Sequence, residues 1–230
     1  MPLISVSRNS VQQSAIPRYE RIVRFIAERA RQDKDTFKWN ARITTGAAGR
    51  TIGFVSRVEG FAELSTREEP DAMIRRLFGE ADGTALLESL GEGVTSSSYT
   101  VSTIRDDLSN APPQPAESAP LILLTRIRAT RDGVLGVEEL IRKVGEAVTK
   151  VGDERQTLVL QTTIGDLRGY TVAQAVSDPA QLDKQATVPE LLLKAFGQSE
   201  GEKIFSEGTA CIEQVETELS TARPDLSNAD

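Results

Sequence analysis

A nine-residue string occurs twice in this chain. Ser102-Thr-Ile-Arg-Asp-Asp-Leu-Ser-Asn110 returns as Ser220-Thr-Ala-Arg-Pro-Asp-Leu-Ser-Asn228, with seven of nine positions identical at an offset of 118. The same offset carries Pro2-Leu3-Ile4 onto Pro120-Leu121-Ile122, Arg8 onto Arg126, Phe78-Gly79 onto Phe196-Gly197 and Gly83 onto Gly201. A single offset held from the first residues of a unit to its last marks a tandem duplication, so two copies of one fold, each of about 110 residues, are expected. The expected division is a first half over 1–110, a Pro-rich linker over 111–119 and a second half over 120–230.

Each copy carries the same run of patterns. Leu3 to Arg8 and Leu121 to Arg128 are short apolar, β-branched segments suited to a first strand. Tyr19, Ile22, Val23, Ile26, Ala27 and Ala30 recur at helical spacing, and Val137, Leu140, Ile141, Val144, Gly145 and Val148 repeat that stripe in the second copy. Phe37–Thr45 and Arg50–Val58 flank the Gly46–Gly49 turn as a hairpin, matched by 157–163 and 170–176. Gly49-x-Thr51-Ile52 aligns with Gly169-x-Thr171-Val172, which shifts the offset to 120 and predicts a turn two residues longer in the second copy. Prolines at Pro70 and Pro189 suit the first turn of a second helix, glycines at 79 and 197 break it, and a last strand follows over 94–105 and 211–223.

The order β-α-β-β-α-β is the split βαβ arrangement, a four-stranded antiparallel sheet with both helices on one side. Such a sheet leaves one face open, and a covalently attached twin is the expected cover. Element order, length and duplication resemble the dimeric α+β barrel superfamily in a fused form, with the Gly49-Arg-Thr51 turn and the Arg-x-Asp-Leu-Ser endings as supporting local features. NIPSNAP-like proteins and antibiotic-biosynthesis monooxygenases belong to that superfamily, as do haem-binding chlorite dismutases. The resemblance implies an α+β fold of two ferredoxin-like repeats packed sheet to sheet as an intramolecular barrel. It implies a menu of functions and no single one.

Composition narrows the menu. The chain has no histidine, which excludes Ser-His-Asp and Cys-His catalysis and the histidine-ligated haem of the chlorite dismutase branch. Cys211 is the single cysteine, so no intrachain disulfide or thiolate metal cluster can form, and neither metal nor cofactor is expected. Residues 1–110 hold 15 Lys/Arg against 15 Asp/Glu and residues 111–230 hold 12 against 19, so the whole net charge of −7 belongs to the second part. An acidic chain without a basic run is a poor partner for nucleic acid or an anionic membrane. Met1 to Ser10 has no basic start followed by a long apolar run, and a cytoplasmic location is expected.

Positions that are polar in one copy and apolar in the other are candidates for a retained site. Lys38, Asn40, Arg42 and Thr44 share one strand face whose counterpart carries Leu158, Leu160 and Thr162. Ser5 and Ser7 stand beside it, against Leu123 and Thr125. In a functional reading Arg42 binds a carboxylate or enolate oxygen and Asn40 orients the ligand. The alternative is that this face is solvated while Phe37, Trp39, Ala41 and Ile43 meet the core. Trp39 can line a pocket or simply pack, and Tyr99 and Tyr170 are candidate donors. Arg105 with Asp107 and Arg223 with Asp225 occur in both copies, which argues for a structural role at the strand end. Glu213, Glu216 and Glu218 read as a solvated edge.

Two functional classes follow. One is a small-molecule-binding barrel that acts as a cofactor-independent monooxygenase, or as an isomerase or cyclase, on a hydrophobic or aromatic enolisable substrate. The other is a non-catalytic ligand-binding or assembly module. Homo-oligomerisation is open to both.

Overall fold

The computed structural model describes residues 2–46, 49–110 and 119–229. The first repeat runs β1 (Leu3–Val11), α1 (Ile16–Gln32), β2 (Asn40–Gly46), β3 (Gly49–Val58), α2 (Phe61–Thr66), α3 (Pro70–Phe78), α4 (Glu80–Gly91) and β4 (Val94–Ile104). The second runs β5 (Leu121–Ala129), α5 (Val134–Val151), β6 (Thr157–Ile164), β7 (Gly169–Val176), a 3₁₀ segment (Pro179–Lys184), α6 (Val188–Phe196), α7 (Gln198–Ala210), β8 (Ile212–Ala222) and a closing 3₁₀ turn (Pro224–Leu226). The linker over 111–118 and the turn residues Ala47 and Ala48 lie outside the described residues.

These eight strands hydrogen-bond in the order β1-β3-β2-β8-β5-β7-β6-β4 and close as a barrel, an α+β fold built on two split βαβ repeats. In the first repeat Leu3 lies opposite Val58 and Asn9 opposite Ile52, all antiparallel. In the second, Leu121 lies opposite Val176 and Ile127 opposite Tyr170. Every one of these positions maps onto its counterpart at 118. The hairpins agree, because Ile43 faces Ile52 and Gln161 faces Tyr170. The expected lengthening of the second turn is therefore corrected: the glycine match at 120 is a local likeness, while strand register keeps the original offset. A slip of one residue would turn every side chain to the wrong face, and the buried faces hold the register fixed. The counterparts of Asn40 and Arg42 are thus Leu158 and Leu160.

Helix punctuation follows the sequence. Gly79 and Gly197 both take φ 84°, the left-handed region that separates α3 from α4 and α6 from α7. Pro70 sits in the first turn of α3. Thr187 and Glu190 form a reciprocal capping box at the start of α6. Beyond the Gly197 break, α7 covers 13 residues before the last strand.

By contacts the chain forms two compact units, Met1–Val101 with Thr221–Asp230, and Ser102–Ser220. In the first, the α1 stripe of Tyr19, Val23, Ile26, Ala27 and Ala30 is buried against Trp39, Ala41, Ile43 and Ile52. Burial of each large apolar side chain contributes about 1.5–3 kcal/mol. In the second, Val137 and Ile141 of α5 meet Ile127, Val159 and Tyr170.

The repeated nonapeptide explains the odd membership of these units. In the first unit, Leu226 enters the α1 core and is fully buried. The Arg223 N–H donates to Ala41 O at 2.8 Å and the Asn228 N–H to Trp39 O at 3.0 Å. Ser227 Oγ accepts from the Ala41 N–H at 2.9 Å. The Arg223 guanidinium reaches Glu20 of α1 at 2.9 Å and Asp225 at 2.8 Å. The second unit repeats each contact: Leu108 is buried in its core, Arg105 N–H meets Val159 O at 2.9 Å, Ser109 Oγ meets Val159 N–H at 2.9 Å, and Arg105 pairs with Glu138 at 2.5 Å and Asp107 at 2.7 Å. Each repeat's ending thus docks on the first helix and second strand of the unit built by the other repeat.

Two outcomes are expected. Leu226→Ala, a truncation at a filled core site, should lower unfolding free energy by about 2–5 kcal/mol in urea titrations, and Leu108→Ala should behave alike. The Arg223 hydrogen bonds hold the Asp225 carboxyl well below its ordinary range, and hydrogen bonds from Arg105 lower those of Asp107 and Glu138. Carboxyls depressed in the folded state stabilise it above the unfolded pKa of about 4 and lose that contribution as pH falls below it. The melting temperature should accordingly drop on acidification, and the double variant Asp107→Asn, Asp225→Asn should show a shallower drop.

Candidate functional site

Alternation along the strands separates two sheet faces in the first unit. Trp39, Ala41, Ile43 and Ile52 face the helices, and Leu3, Ser5, Ser7, Asn9 and Val11 of β1 share that side by their odd spacing. A cavity of about 470 Å³ lies there, between the sheet and helices α1, α3 and α4. Its wall includes Ser5, Ser7 and Asn9 along β1, a run of about 14 Å at strand rise. Val23, Trp39, Phe54, Met73 and Leu90 supply apolar surface.

One end of the slot is organised by hydrogen bonds. The Ser97 hydroxyl of β4 donates to Asn9 Oδ1 at 2.7 Å. Asn9 Nδ2 in turn donates to the Tyr19 hydroxyl oxygen at 2.8 Å. Tyr19 is 4% exposed. Burial pushes its phenol up to about 12, against the smaller opposing pull of the Asn9 hydrogen bond. The other end is framed by Arg67, whose guanidinium stacks over the Phe37 ring at 4.2 Å and donates to Lys38 O at 3.0 Å. Burial lowers the Arg67 pKa, opposed by the nearby Glu63 and Tyr99. The Ser56 hydroxyl donates to the same Lys38 carbonyl at 2.8 Å, tying that end to the sheet.

The second unit carries aliphatic residues at four of the equivalent positions. At the offset of 118, Asn9, Tyr19 and Ser97 become Ile127, Val137 and Val215, and Ser5 becomes Leu123. Ile127 and Val137 are buried in its core. Leu90, which lines the first unit's cavity, becomes Gly208, and a Cβ built there would lie 2.7 Å from Leu140 Cβ. Without a side chain at that position α7 closes on α5; with leucine there α4 stands off from α1. A polar cleft of about 510 Å³ in the second unit is lined by Asp153, Arg155 and Gln185, among others. The Asp153–Arg155 ion pair at 2.8 Å already satisfies its buried charges.

The sequence candidates are distributed across these surfaces. Trp39 and Tyr99 line the slot. The Trp39 indole N–H is held by Leu226 O at 2.8 Å, and Tyr99 is 52% exposed. Asn40 and Arg42 project from the opposite sheet face; Arg42 is 6% exposed, and burial pushes its guanidinium down to about 10. Lys38 contributes its backbone carbonyl to the Arg67 end. Tyr170 belongs to the second unit, where its hydroxyl donates to Glu138 at 2.8 Å and accepts from Gln161 at 3.0 Å. Burial first, and then Glu138, holds that phenol well above the usual tyrosine range. Glu213 pairs with Arg168 at 2.7 Å, and Glu218 pairs with Arg126.

Asn9, Tyr19 and Ser97 were missed by sequence reasoning. Tyr19 reads in the sequence as one member of the core stripe of the first helix, and Asn9 and Ser97 as ordinary strand positions. The usable signal was a joint change of three distant positions at one offset, each from polar to β-branched apolar.

No protein-family model and no curated protein matches the sequence of this chain. Solved structures do match its fold. An anthrone oxidase-like protein is 12% identical, covering 100% of this chain and 94% of its own, with a TM-score of 0.57. A candidate monooxygenase from Fusobacterium nucleatum subsp. nucleatum is 10% identical over 96% and 92%, with a TM-score of 0.55. Chlorite dismutase from Candidatus Nitrospira defluvii is 10% identical over 97% and 92%, with a TM-score of 0.52.

A haem of the kind implied by the chlorite dismutase branch does not fit these residues. There is no histidine to hold iron, the Tyr19 phenol stays protonated at about 12, and the Cys211 thiol donates to Glu207 O at 3.4 Å. Among the described residues no helix is long and apolar enough to cross a membrane. Strand order, duplication and these structural likenesses together give the chain the fold of the dimeric α+β barrel superfamily.

Proposed function

We propose that the protein binds an apolar small molecule with an enolisable carbonyl in the first unit's slot and converts it without a cofactor, as an oxygenase or as an isomerase or cyclase. The observation that carries this reading is the asymmetry of the duplication: one copy keeps a roomy slot with ordered polar groups, and the other has Leu123, Ile127, Val137 and Val215 in place of Ser5, Asn9, Tyr19 and Ser97. Stability alone would favour filling both, since an unfilled apolar space forfeits contacts.

The likeness to an anthrone oxidase-like protein supplies a probe of the right chemistry. Anthrone is a flat, apolar ketone whose methylene hydrogens are acidic. In the oxygenase form of the reading, anthrone and O₂ give anthraquinone and water. The methylene carbon loses two hydrogens and gains one oxygen atom, the second oxygen leaves as water, and the enolate supplies the electrons. Deprotonation falls to the substrate's own acidity or to a carboxylate at the mouth such as Glu69 or Asp71, because the Tyr19 phenol is too weak an acid to be ionised near neutral pH. Trp39 and Tyr99 are the walls of this site, Lys38 gives its backbone carbonyl to the Arg67 end, and Asn40 and Arg42 lie on the opposite sheet face. We place the activity in the cytoplasm, in keeping with a chain whose one cysteine is free.

Trp39 is the sole tryptophan, so intrinsic fluorescence reports on the slot directly. Anthrone is expected to quench it saturably, and oxygen uptake with anthraquinone formation is expected above the uncatalysed rate. Ser5→Leu, which installs the second repeat's residue, should weaken binding at least about tenfold by occupying the slot. Asn40→Ala, on the opposite face, should leave it unchanged. Saturable binding with neither oxygen uptake nor a rearranged product would instead make the protein a ligand-binding module.

A further inference from the structure

The polar end of the slot has a direction. Asn9 spends its carbonyl oxygen on Ser97 and its amide N–H on Tyr19. The Tyr19 oxygen is therefore an acceptor, and its own hydrogen must point elsewhere. Among the described residues no other hydrogen-bond partner reaches this hydroxyl. Tyr170 provides the contrast, since its hydroxyl both donates to Glu138 and accepts from Gln161. A buried donor without an acceptor is costly, and the whole relay is absent from the second repeat, where Ile127, Val137 and Val215 take the three positions. The relay is also dispensable for the fold, because the second repeat builds the same strands and helix with those aliphatic residues.

Ser97 is exposed and Asn9 half-buried, so the chain of donors runs inward from the strand edge and ends on a deeply buried phenol. We infer that the Tyr19 O–H, aimed by Asn9 and Ser97, is the donor that receives the ligand, and that the ligand presents a ketone or enolate oxygen at the Asn9 end of the slot. The inference rests on the slot being the binding site proposed above. A neutral phenol that stays protonated is suited to this task, since it donates to a carbonyl oxygen and donates more strongly to the enolate that forms from it. It makes Tyr19 a catalytic residue, one that touches the reacting oxygen, and Asn9 and Ser97 positioning residues behind it. It also defines specificity: a site built around an unsatisfied donor favours the ligand with an acceptor over one of equal shape without it.

The test compares anthrone with 9,10-dihydroanthracene, which has the same three-ring skeleton and a methylene in place of the carbonyl. Trp39 fluorescence titrations give both affinities in the intact protein. Wild type should prefer anthrone by about tenfold, the worth of one buried hydrogen bond. Tyr19→Phe should remove that preference while leaving 9,10-dihydroanthracene affinity unaltered, and this unaltered affinity doubles as proof that the slot is still formed. Ser97→Val, at an exposed position, should reduce the preference by severalfold without touching the phenol. Equal wild-type affinities for the two compounds would overturn the inference and leave the slot as a binding site. A preference that survives in both Tyr19→Phe and Ser97→Val would do the same. If neither compound quenched Trp39 in wild type, the binding site and the inference would fall together.

Discussion

The reciprocal docking of the two chain endings is the interaction on which the rest of the molecule depends. Leu226 completes the hydrophobic core beneath α1, and the backbone around it supplies hydrogen-bond partners to Trp39 and Ala41 at the edge of β2. In the strand order β2 is followed by β8, and the segment after β8 carries that pairing on to the start of β2. That segment is held by an arginine anchored to two carboxylates. The segment after β4 repeats the arrangement, with Arg105 N–H donating to Val159 O and Asn110 N–H to Thr157 O. The same contact fixes the Trp39 indole through Leu226 O, and Trp39 is a wall of the slot. Stability of the fold and shape of the candidate site are thus joined at one residue.

Duplication then permits divergence. Once two copies share the task of folding, one can keep polar groups in its interior while the other is optimised for density. The second repeat took the dense course: Gly208 lets a helix approach until leucine contacts replace empty space, and aliphatic residues replace the hydrogen-bonded set. The first repeat kept Leu90, which holds its helix off, and kept a phenol with an unspent donor. A close-packed interior is the default for proteins, so the departure from it in one copy is the informative fact.

Much of this was legible in the sequence. The period, the order of elements and the stripe on α1 specify an α+β fold of two ferredoxin-like repeats, because side-chain periodicity and turn chemistry are local properties. The repeated Arg/Asp endings were readable as structural, although nothing local could show that each would dock on the other unit. The hairpin offset misled, since a Gly-x-Thr likeness at 169–172 outweighed the register that cross-strand burial imposes at 118. The site was harder. The polarity of Asn40 and Arg42 stood out as a cluster on one strand, whereas Asn9, Tyr19 and Ser97 come from three elements and meet only through tertiary structure. Tyr19 in particular is indistinguishable, in a helical stripe, from any core aromatic.

The central claim is that the first repeat retains a ligand slot and the second does not. Amide and methyl NMR shift mapping with anthrone tests it most directly, since both repeats are observed in the same sample. The account requires dose-dependent shifts at Ser7, Tyr19, Val23 and Trp39, with the counterparts Thr125, Val137, Ile141 and Thr157 unmoved. Shifts spread equally over both sets, or confined to the second, would contradict it.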